Sequence, residues 1–385
     1  MPERRPHVLV AGVSARALAE SAAGAGYRVS AVDAFGDVDL RAVADVVHLR
    51  RDAGTPFSPP AAAAAARGIA AELVAYTSSF ENDPRAVAAL ARGRTLLGNP
   101  PAVLEQVRNP LALMRALRAR GFATPATRAS APPSGTDGGR WLLKPRRSGG
   151  GHGTLPWRRG RRVPRGAYLQ ERIDGVPGSL VFAADGRRAL PLGLSRQLVG
   201  ERAFGAHGFR YCGSLLASGA APLFERQEEL LERAAALAAA VTEAFGLLGL
   251  NGVDFIARAG VPLPLEVNPR WSASMELVQR ATGTSLFGIH AEACAGRLPP
   301  APRRSGARVH GKAIVFARRE IVVPGGRWAG TRIADVPHRG ERIRRGHPVC
   351  TVLADADDGA GCLRALAASA AEIYRATEPR TRGAA

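Results

Sequence analysis

Two apolar runs around a short turn constrain the middle of this chain more than any other feature. Leu250-Asn-Gly-Val-Asp-Phe-Ile-Ala257 and Pro262-Leu-Pro-Leu-Glu-Val-Asn-Pro-Arg270 flank Ala259-Gly260, the pattern of an antiparallel hairpin. Centred on Gly260, equal spacing sets Asp254 directly opposite Glu266. Strand alternation then places Asn268 on the same face as Glu266. Val253, Phe255, Leu265 and Val267 need apolar cover, which argues against a hairpin lying free in solvent. Two carboxylates held this close repel unless they are protonated or bridged by a cation. An all-oxygen set with room for phosphate oxygens suits Mg2+, with Mn2+ as an alternative, rather than zinc. Asp254, Glu266 and Asn268 are therefore the predicted metal ligands.

Composition singles out a second residue. The chain of 385 residues carries 53 Lys and Arg against 33 Asp and Glu, a net charge of +20, yet its only lysines are Lys144 and Lys312. A lysine retained at the end of the strand Arg140-Trp-Leu-Leu-Lys-Pro145, just before a glycine loop, implies that a compact point charge is needed where a forked guanidinium would not serve. The loop itself, Ser148-Gly-Gly-Gly-His-Gly-Thr154, can fold backbone N–H groups over phosphates without Cβ interference. It lacks the G-K-[ST] of a Walker loop, which rejects a P-loop NTPase.

Around these features the chain divides into three regions. His7 to Ser14, an alanine-rich helix to Gly26, and Tyr27 to Asp33 read as strand, helix, strand of a parallel α/β sheet. With a further strand at Leu73 to Thr77 and helices near 84–92 and 101–106, they make a first domain of residues 1–106. Gly12 and Ser14 fall short of a dinucleotide fingerprint, so a dehydrogenase is rejected. A helix from Asn109 to Arg120 closed by Gly121, and a loop marked by Pro125, Pro132, Pro133 and residues 134–139, open a second domain, 107–302. There the strands 140–145 and 167–173 bracket the glycine loop. The most regular helix spans 225–245, with Leu230, Ala234, Leu237, Val241 and Phe245 on one face and Gly246 as its stop. Beyond Pro299, Pro300 and Pro302, residues 303–385 read as a small β-rich cap with strands near 311–317 and 350–354 and a closing helix near 361–376.

No apolar run approaches the ~18 residues of a membrane helix. No signal peptide is read at the N-terminus, and Cys212, Cys294, Cys350 and Cys362 form no C-x-x-C pair, so a cytoplasmic protein with buried thiols is expected. The arginines are spread along the chain and aromatics are 5% of it, too few for base-stacking platforms. Nucleic acid is thus a disfavoured partner, and the cluster Arg158, Arg159, Arg161, Arg162 and Arg165 reads as a solvated loop.

The order of these parts, Lys144, the glycine loop, Gln170-Glu-Arg-Ile173, Asp254, then Glu266-Val-Asn-Pro-Arg270, resembles the ATP-grasp superfamily of carboxylate-amine ligases. The run from Leu265 to Leu277 is the most specific part and is similar to the carboligase branch related to biotin carboxylase. Residues 340–352 resemble the cap of that branch. Within it the chain resembles proteins linked to tetrahydromethanopterin and methanofuran-type C1 cofactor pathways.

The resemblance implies an α/β ATP-grasp fold with an N-terminal Rossmann-like pre-ATP-grasp domain and a C-terminal β-rich cap. It implies ATP as cosubstrate, with Lys144 on the α/β-phosphates and Ser148, Gly149, Gly150, Gly151 and Gly153 closing over the γ-phosphate. Gln170, Glu171, Arg172 and Ile173 would hold adenine through backbone groups. The implied reaction activates a carboxylate as an acyl phosphate, which a small-molecule amine then displaces, in a protein that could form a homodimer. Two positions depart from the family: Asn109-Pro110 where a lysine is common, and Gly178-Ser179 where a ribose-binding acid is common, which leaves Asp174 for the ribose.

Arg270, two residues past Asn268, is expected to neutralise charge developing in transfer, or to form an ion pair. Ser272 and Ser274 are anion contacts or helix caps, and His152 touches phosphate or lies idle in its loop. Ser14, Arg16, Asp33 and Asp37 are substrate contacts at strand ends or ordinary caps. The alternatives to amide ligation are carboxyphosphate chemistry on bicarbonate, and a nucleotide- or nucleic-acid-binding protein without turnover.

Overall fold

The alternation of apolar runs and alanine-rich stretches at the N-terminus folds as a parallel sheet. Strands β1 (His7–Gly12), β2 (Arg28–Asp33), β3 (Asp45–His48), β4 (Leu73–Tyr76) and β5 (Thr95–Leu97) are ordered β3-β2-β1-β4-β5. Parallel neighbours cannot be joined by a tight turn, and helix Arg16–Gly24 supplies the crossover from β1 to β2. β1 is buried along its whole length, as expected of a central strand covered on both faces. The computed structural model describes residues 5–52, 54–132, 140–219, 221–303, 306–325 and 332–378. The loop expected at 134–139, and Pro133, lie outside them.

Helix Pro110–Arg118 starts on proline, and the Asn109 side chain caps it by accepting from Leu111 N and Ala112 N. A small antiparallel sheet follows, built from β6 (Thr127–Arg128), β7 (Trp141–Pro145), β8 (Leu155–Pro156) and β9 (Ala167–Glu171) in the order β6-β9-β7-β8. The chain then enters its largest sheet through β10 (Val176–Asp185), β11 (Ala189–Val199), β12 (Tyr211–Ser218), β13 (Leu248–Arg258), β14 (Val261–Asn268) and β15 (Arg308–Phe316). The C-terminal segment adds β16 (Ile321–Val322), β17 (Ile333–Ala334), β18 (Arg342–Ile343) and β19 (Pro348–Ala356). β17 and β19 extend the large sheet, ordered β14-β13-β10-β11-β12-β15-β19-β17, so the β-rich C-terminal strands belong to the same sheet as the strands that carry the carboxylates, at its opposite end.

This sheet is covered on both sides. Along β10, Leu180 and Phe182 face one core, with helices Gln227–Phe245 and Gly359–Ala376, while Val181 and Ala183 face the other, with helices Met275–Thr282 and Leu286–Cys294. Helix Gln227–Phe245 follows its sequence periodicity, ending at Gly246 in the left-handed region, φ 66°. The second core also takes Val8, Val10 and Leu18, so helices 275–294 are shared between the parallel and antiparallel sheets.

Two polar ties lock that junction. The buried Asn99 accepts from Leu248 N (2.8 Å) and donates to Leu248 O (3.1 Å), Asn251 Oδ1 (2.8 Å) and Pro269 O (3.1 Å). The second tie is ionic. Arg16, 2% exposed, pairs with Glu276 (2.6 Å), Asp335 (2.9 Å) and Glu20 (2.9 Å), and Lys312 pairs with Glu276 as well. Burial alone would raise the Glu276 carboxyl, but Arg16 and then Lys312 outweigh it and hold it far below the usual carboxylate range.

Asn99→Ala should cost about 1 to 3 kcal/mol for each buried group left unpaired, and hydrogen exchange of the β13 and β5 amides should speed up together. Glu276→Gln should cost about 3 to 5 kcal/mol at neutral pH by leaving two buried cations short of a partner. Because the folded carboxyl is depressed, that contribution is complete above the unfolded value of ~4.3 and fades as pH falls towards the folded one. The gap in urea midpoints between wild type and variant should therefore narrow on acidification.

Candidate active site

The carboxylates meet as the sequence predicts, but by a route the sequence does not show. β13 and β14 turn at Ala259 and Gly260, both with positive φ (49° and 76°), the geometry of a two-residue hairpin turn. Pairing runs from Arg258↔Val261 to Phe255↔Pro264. Continued unbroken, it would set Asp254 against Leu265. A bulge between Asp254 and Phe255 absorbs one residue of β14 and restores Asp254↔Glu266.

Asp254 thus lies between Ser179 of β10 and Glu266 of β14. Asn268 Nδ2 donates to its Oδ2 (2.9 Å), and Ser179 and Gln197 add hydrogen bonds. Burial, then the neighbouring Glu266, pushes the Asp254 carboxyl up to about 6 despite those bonds. Burial acts on Glu266 too, but Arg108 and then Lys144 outweigh it and hold that carboxyl below its ordinary range. The donor set is two half-buried, cavity-lining carboxylates and an amide, with Asp254 short of positive charge. A hard divalent cation fits that environment.

Arg108 escaped the sequence reading. Its Nη1 donates to Glu266 Oε2 (3.0 Å) and Val267 O (3.0 Å), and its Nη2 to Asn82 Oδ1 (3.1 Å) and Ser148 O (3.0 Å). One arginine so joins the first domain, the acid pair and the glycine loop. In a chain with 51 arginines no residue-type signal marks it. It stands beside the Asn109-Pro110 departure, so a cation is present there although Pro110 carries none.

Lys144 Nζ donates to Gln170 Oε1 (2.9 Å), and Gln170 Nε2 reaches Leu265 O (3.3 Å). Lys312 lines the same cavity as Lys144. The scarcity of lysine that pointed to Lys144 therefore pointed equally to Lys312. The glycine loop is docked rather than free: Gly150 O accepts from Tyr211 N (3.0 Å), and Ser148 Oγ donates to His152 O (2.6 Å). Gly151 has φ 75°, and a Cβ there would sit 1.8 Å from Phe209 O, so only glycine fits. His152 lines the cavity, its imidazole lowered by burial and then by Arg210.

Arg270 places Nε 2.8 Å from Glu81 Oε1 and donates from Nη2 to Asn268 Oδ1 (3.1 Å). It lines the cavity and forms the ion pair that its second reading expects. Of Gln170, Glu171, Arg172 and Ile173, all on the cavity wall, the amides of Glu171 and Arg172 are already bonded to Ala126 O and Arg140 O. Asp174 pairs with Arg140 at the rim. Gly178 has no room for an acid, since a Cβ there would lie 2.5 Å from the Phe255 ring.

The capping reading of the serines is overturned. Ser274 precedes helix Met275–Thr282 in helical dihedrals with no side-chain cap bond, and Ser272 Oγ is buried without a partner among the described residues. Both line the cavity. The strand-end residues of the first domain also separate. The Asp33 carboxylate is taken by the amides of Ala15, Phe35 and Gly36, and Arg16 by the ionic tie. Asp37 makes no cap bond. A continuous cavity of about 970 Å3 holds Lys144, Asp254, Glu266 and the glycine loop towards one end, and Ser14, Asp37 and Lys312 in the same space.

Residues 107–274 match the ATP-grasp domain family. A stretch of 75 residues, 20% of the chain, is 36% identical to the carbamoyl phosphate synthase large chain of Neisseria meningitidis, and it spans 7% of that protein's length. An ADP complex of N5-carboxyaminoimidazole ribonucleotide synthetase superposes over 98% of this chain and 99% of its own, with TM-score 0.68 and 16% identity. The biotin carboxylase domain of Hydrogenobacter thermophilus 2-oxoglutarate carboxylase, a dimer with MgADP, ADP and bicarbonate, aligns over 92% of this chain and 87% of its own, with TM-score 0.69 and 14% identity. At these identities the likeness to the solved structures is one of fold. Residues 107–274 match the ATP-grasp domain, and with the parallel sheet before it and the strands after it the chain has the ATP-grasp fold.

Proposed function

We propose that this protein is an ATP- and Mg2+-dependent ligase that activates a carboxylate as an acyl phosphate, releasing ADP, and passes the acyl group to an amine with release of phosphate. The observation that carries this reading is the bulged β13–β14 hairpin, which holds Asp254 against Glu266 in the same cavity as Lys144 and the docked glycine loop. Asp254, Glu266 and Asn268 are the residues that would hold Mg2+ or Mn2+. When bound, the ion would supply positive charge to a transferring phosphoryl group.

The chain's own groups supply the remainder. Lys144 and the loop amides of Ser148 to Gly153 meet phosphate oxygens, and Arg270 and Arg108 keep Asn268 and Glu266 in place. Such positioning and charge compensation are the main demands of phosphoryl transfer, more than any base. The loop, once docked on Phe209 and Tyr211, keeps water from a reactive acyl phosphate. The segment Gln170 to Ile173 faces the base with its carbonyls and remaining amides. A place in C1-cofactor biosynthesis rests on the sequence resemblance alone.

The deciding experiment is ADP release from MgATP against a panel of carboxylates and amines. Substrate-dependent ADP release is expected, falling at least about a hundredfold in Glu266→Gln, the scale of losing one preorganised charge-stabilising group. Release that depends on bicarbonate, with label entering the product, would instead select carboxyphosphate chemistry. Salt-sensitive DNA binding without ATP affinity would overturn the ligase reading. Gly151→Ala should fold normally yet raise the KM for MgATP, because its Cβ collides with Phe209 O and keeps the loop from docking; steady-state kinetics at varied MgATP measure this.

A further inference from the structure

The cavity is bipolar. Near the hairpin it is lined by Lys144, Arg146, Arg147 and Arg108, which suits a polyphosphate. Its other reach runs under the C-terminal edge of the parallel sheet, where Ser14, Phe35 and Asp37 line it beside Arg16 and Asp335. There the charge reverses. Glu20, Asp33, Asp37, Asp39, Glu276 and Asp335 cluster around two cations, Arg16 and Lys312, and both cations are already committed to Glu276, with Arg16 also on Asp335. Arg41, on the short helix after Asp37, turns its Nε to Gly36 O (3.1 Å). A carboxylate excess in a chain of net charge +20 is a local feature that composition does not supply.

Asp37 differs from its neighbours in this cluster. It is 6% exposed, and its Oδ2 has no hydrogen-bond partner among the described residues. It stands before helix Val38–Arg41 without using its side chain to cap it. Asp33 and Asp39, by contrast, are held by backbone amides, and Asp335 by Arg16 and Thr351. Burial, then Asp335, Asp33 and Asp39, push the Asp37 carboxyl up to about 9, with Arg16 opposing. A buried carboxylate oxygen without a partner is costly and needs an explanation. A cationic donor from a ligand would remove the cost.

We propose that this reach of the cavity is the acceptor-substrate subsite, and that it takes a small molecule bearing a primary ammonium group, with Asp37 as the counter-ion and as the acceptor of the proton the ammonium must give up before its nitrogen attacks the acyl carbon and phosphate leaves. The inference rests on the ligase reading, since it assigns the second substrate's place, and it narrows that substrate to a cation. Phe35 and Trp271, which line the same cavity, provide apolar surface for the carbon skeleton that carries the amine. A second anionic substrate at this end would meet like charge, so the carboxylate to be activated belongs towards the basic reach.

The test uses the full-length protein in saturating MgADP and a matched pair of probes, n-pentylamine and n-pentanol, with affinities read by ligand-detected NMR at fixed ionic strength. The amine should bind measurably and the alcohol far more weakly. Asp37→Asn should weaken the amine about tenfold or more, the scale of one charge-assisted hydrogen bond, and leave the alcohol and MgADP unchanged. Asp45→Asn, at an exposed acid of the same domain, should leave the amine unchanged. Equal binding of amine and alcohol to the wild type, no binding of the amine, or full affinity in a folded Asp37→Asn variant would each overturn the proposal. The contrast between amine and alcohol in the wild type needs no variant, so the result stands even if Asp37→Asn does not fold. Loss of substrate-dependent ADP release with the amine contrast intact would sink the ligase reading instead.

Discussion

Two carboxylates lie side by side on adjacent strands in the wall of one cavity, and most of the surrounding structure can be understood as what makes that tolerable. Asp254 and Glu266 repel across the hairpin. The protein answers asymmetrically. Glu266 receives Arg108 and the field of Lys144, while Asp254 receives only neutral donors from Ser179, Gln197 and Asn268. The asymmetry leaves a local shortage of positive charge beside Asp254. Arg108 is itself held by Asn82 and Ser148 O, so the electrostatics of the hairpin are coupled to the placement of the first domain and of the glycine loop.

The junction between the two sheets is built on the same logic at a second place. Asn99 satisfies backbone groups of β13 that would otherwise end unpaired at a domain boundary, and Arg16 with Lys312 neutralises Glu276 across three distant parts of the chain. The ionic tie lines the acidic end of the cavity, in the same space as Lys144 and the acid pair. Opposite charge at the two ends suits a reaction that must hold a polyanion and a second substrate of different charge within reach of each other.

Much of the site was legible because its residues are close in sequence and their periodicity is short. Asp254, Glu266 and Asn268 lie on one hairpin, and alternation of period two puts them on one face. Even so, the turn is centred at Ala259–Gly260 and only the bulge restores the pairing; a bulge is a tertiary choice that leaves no mark in apolar patterning. Lys144 was legible from the scarcity of lysine. Lys312 carried the same mark, but nothing near it in sequence suggested a pocket. The capping expected of Ser274 failed because the helix start is met by the cavity wall, and Asp37 likewise leaves its own helix uncapped.

The sequence alone determined the parallel sheet at the start, the antiparallel hairpin with its acids, the glycine loop and the long helix ending at Gly246, since each is written in local patterns of two, three or four residues and in the backbone freedom of glycine. Only the tertiary structure decided that Arg108, out of 51 arginines, faces Glu266, that Arg16 meets Glu276 and Asp335, and that Asp37 keeps a buried oxygen without a partner among the described residues. Those contacts join residues up to 319 positions apart. Long-range charge pairing of this kind depends on which surfaces the packed sheets bring together, and identical side chains elsewhere in the chain carry no local pattern that tells them apart.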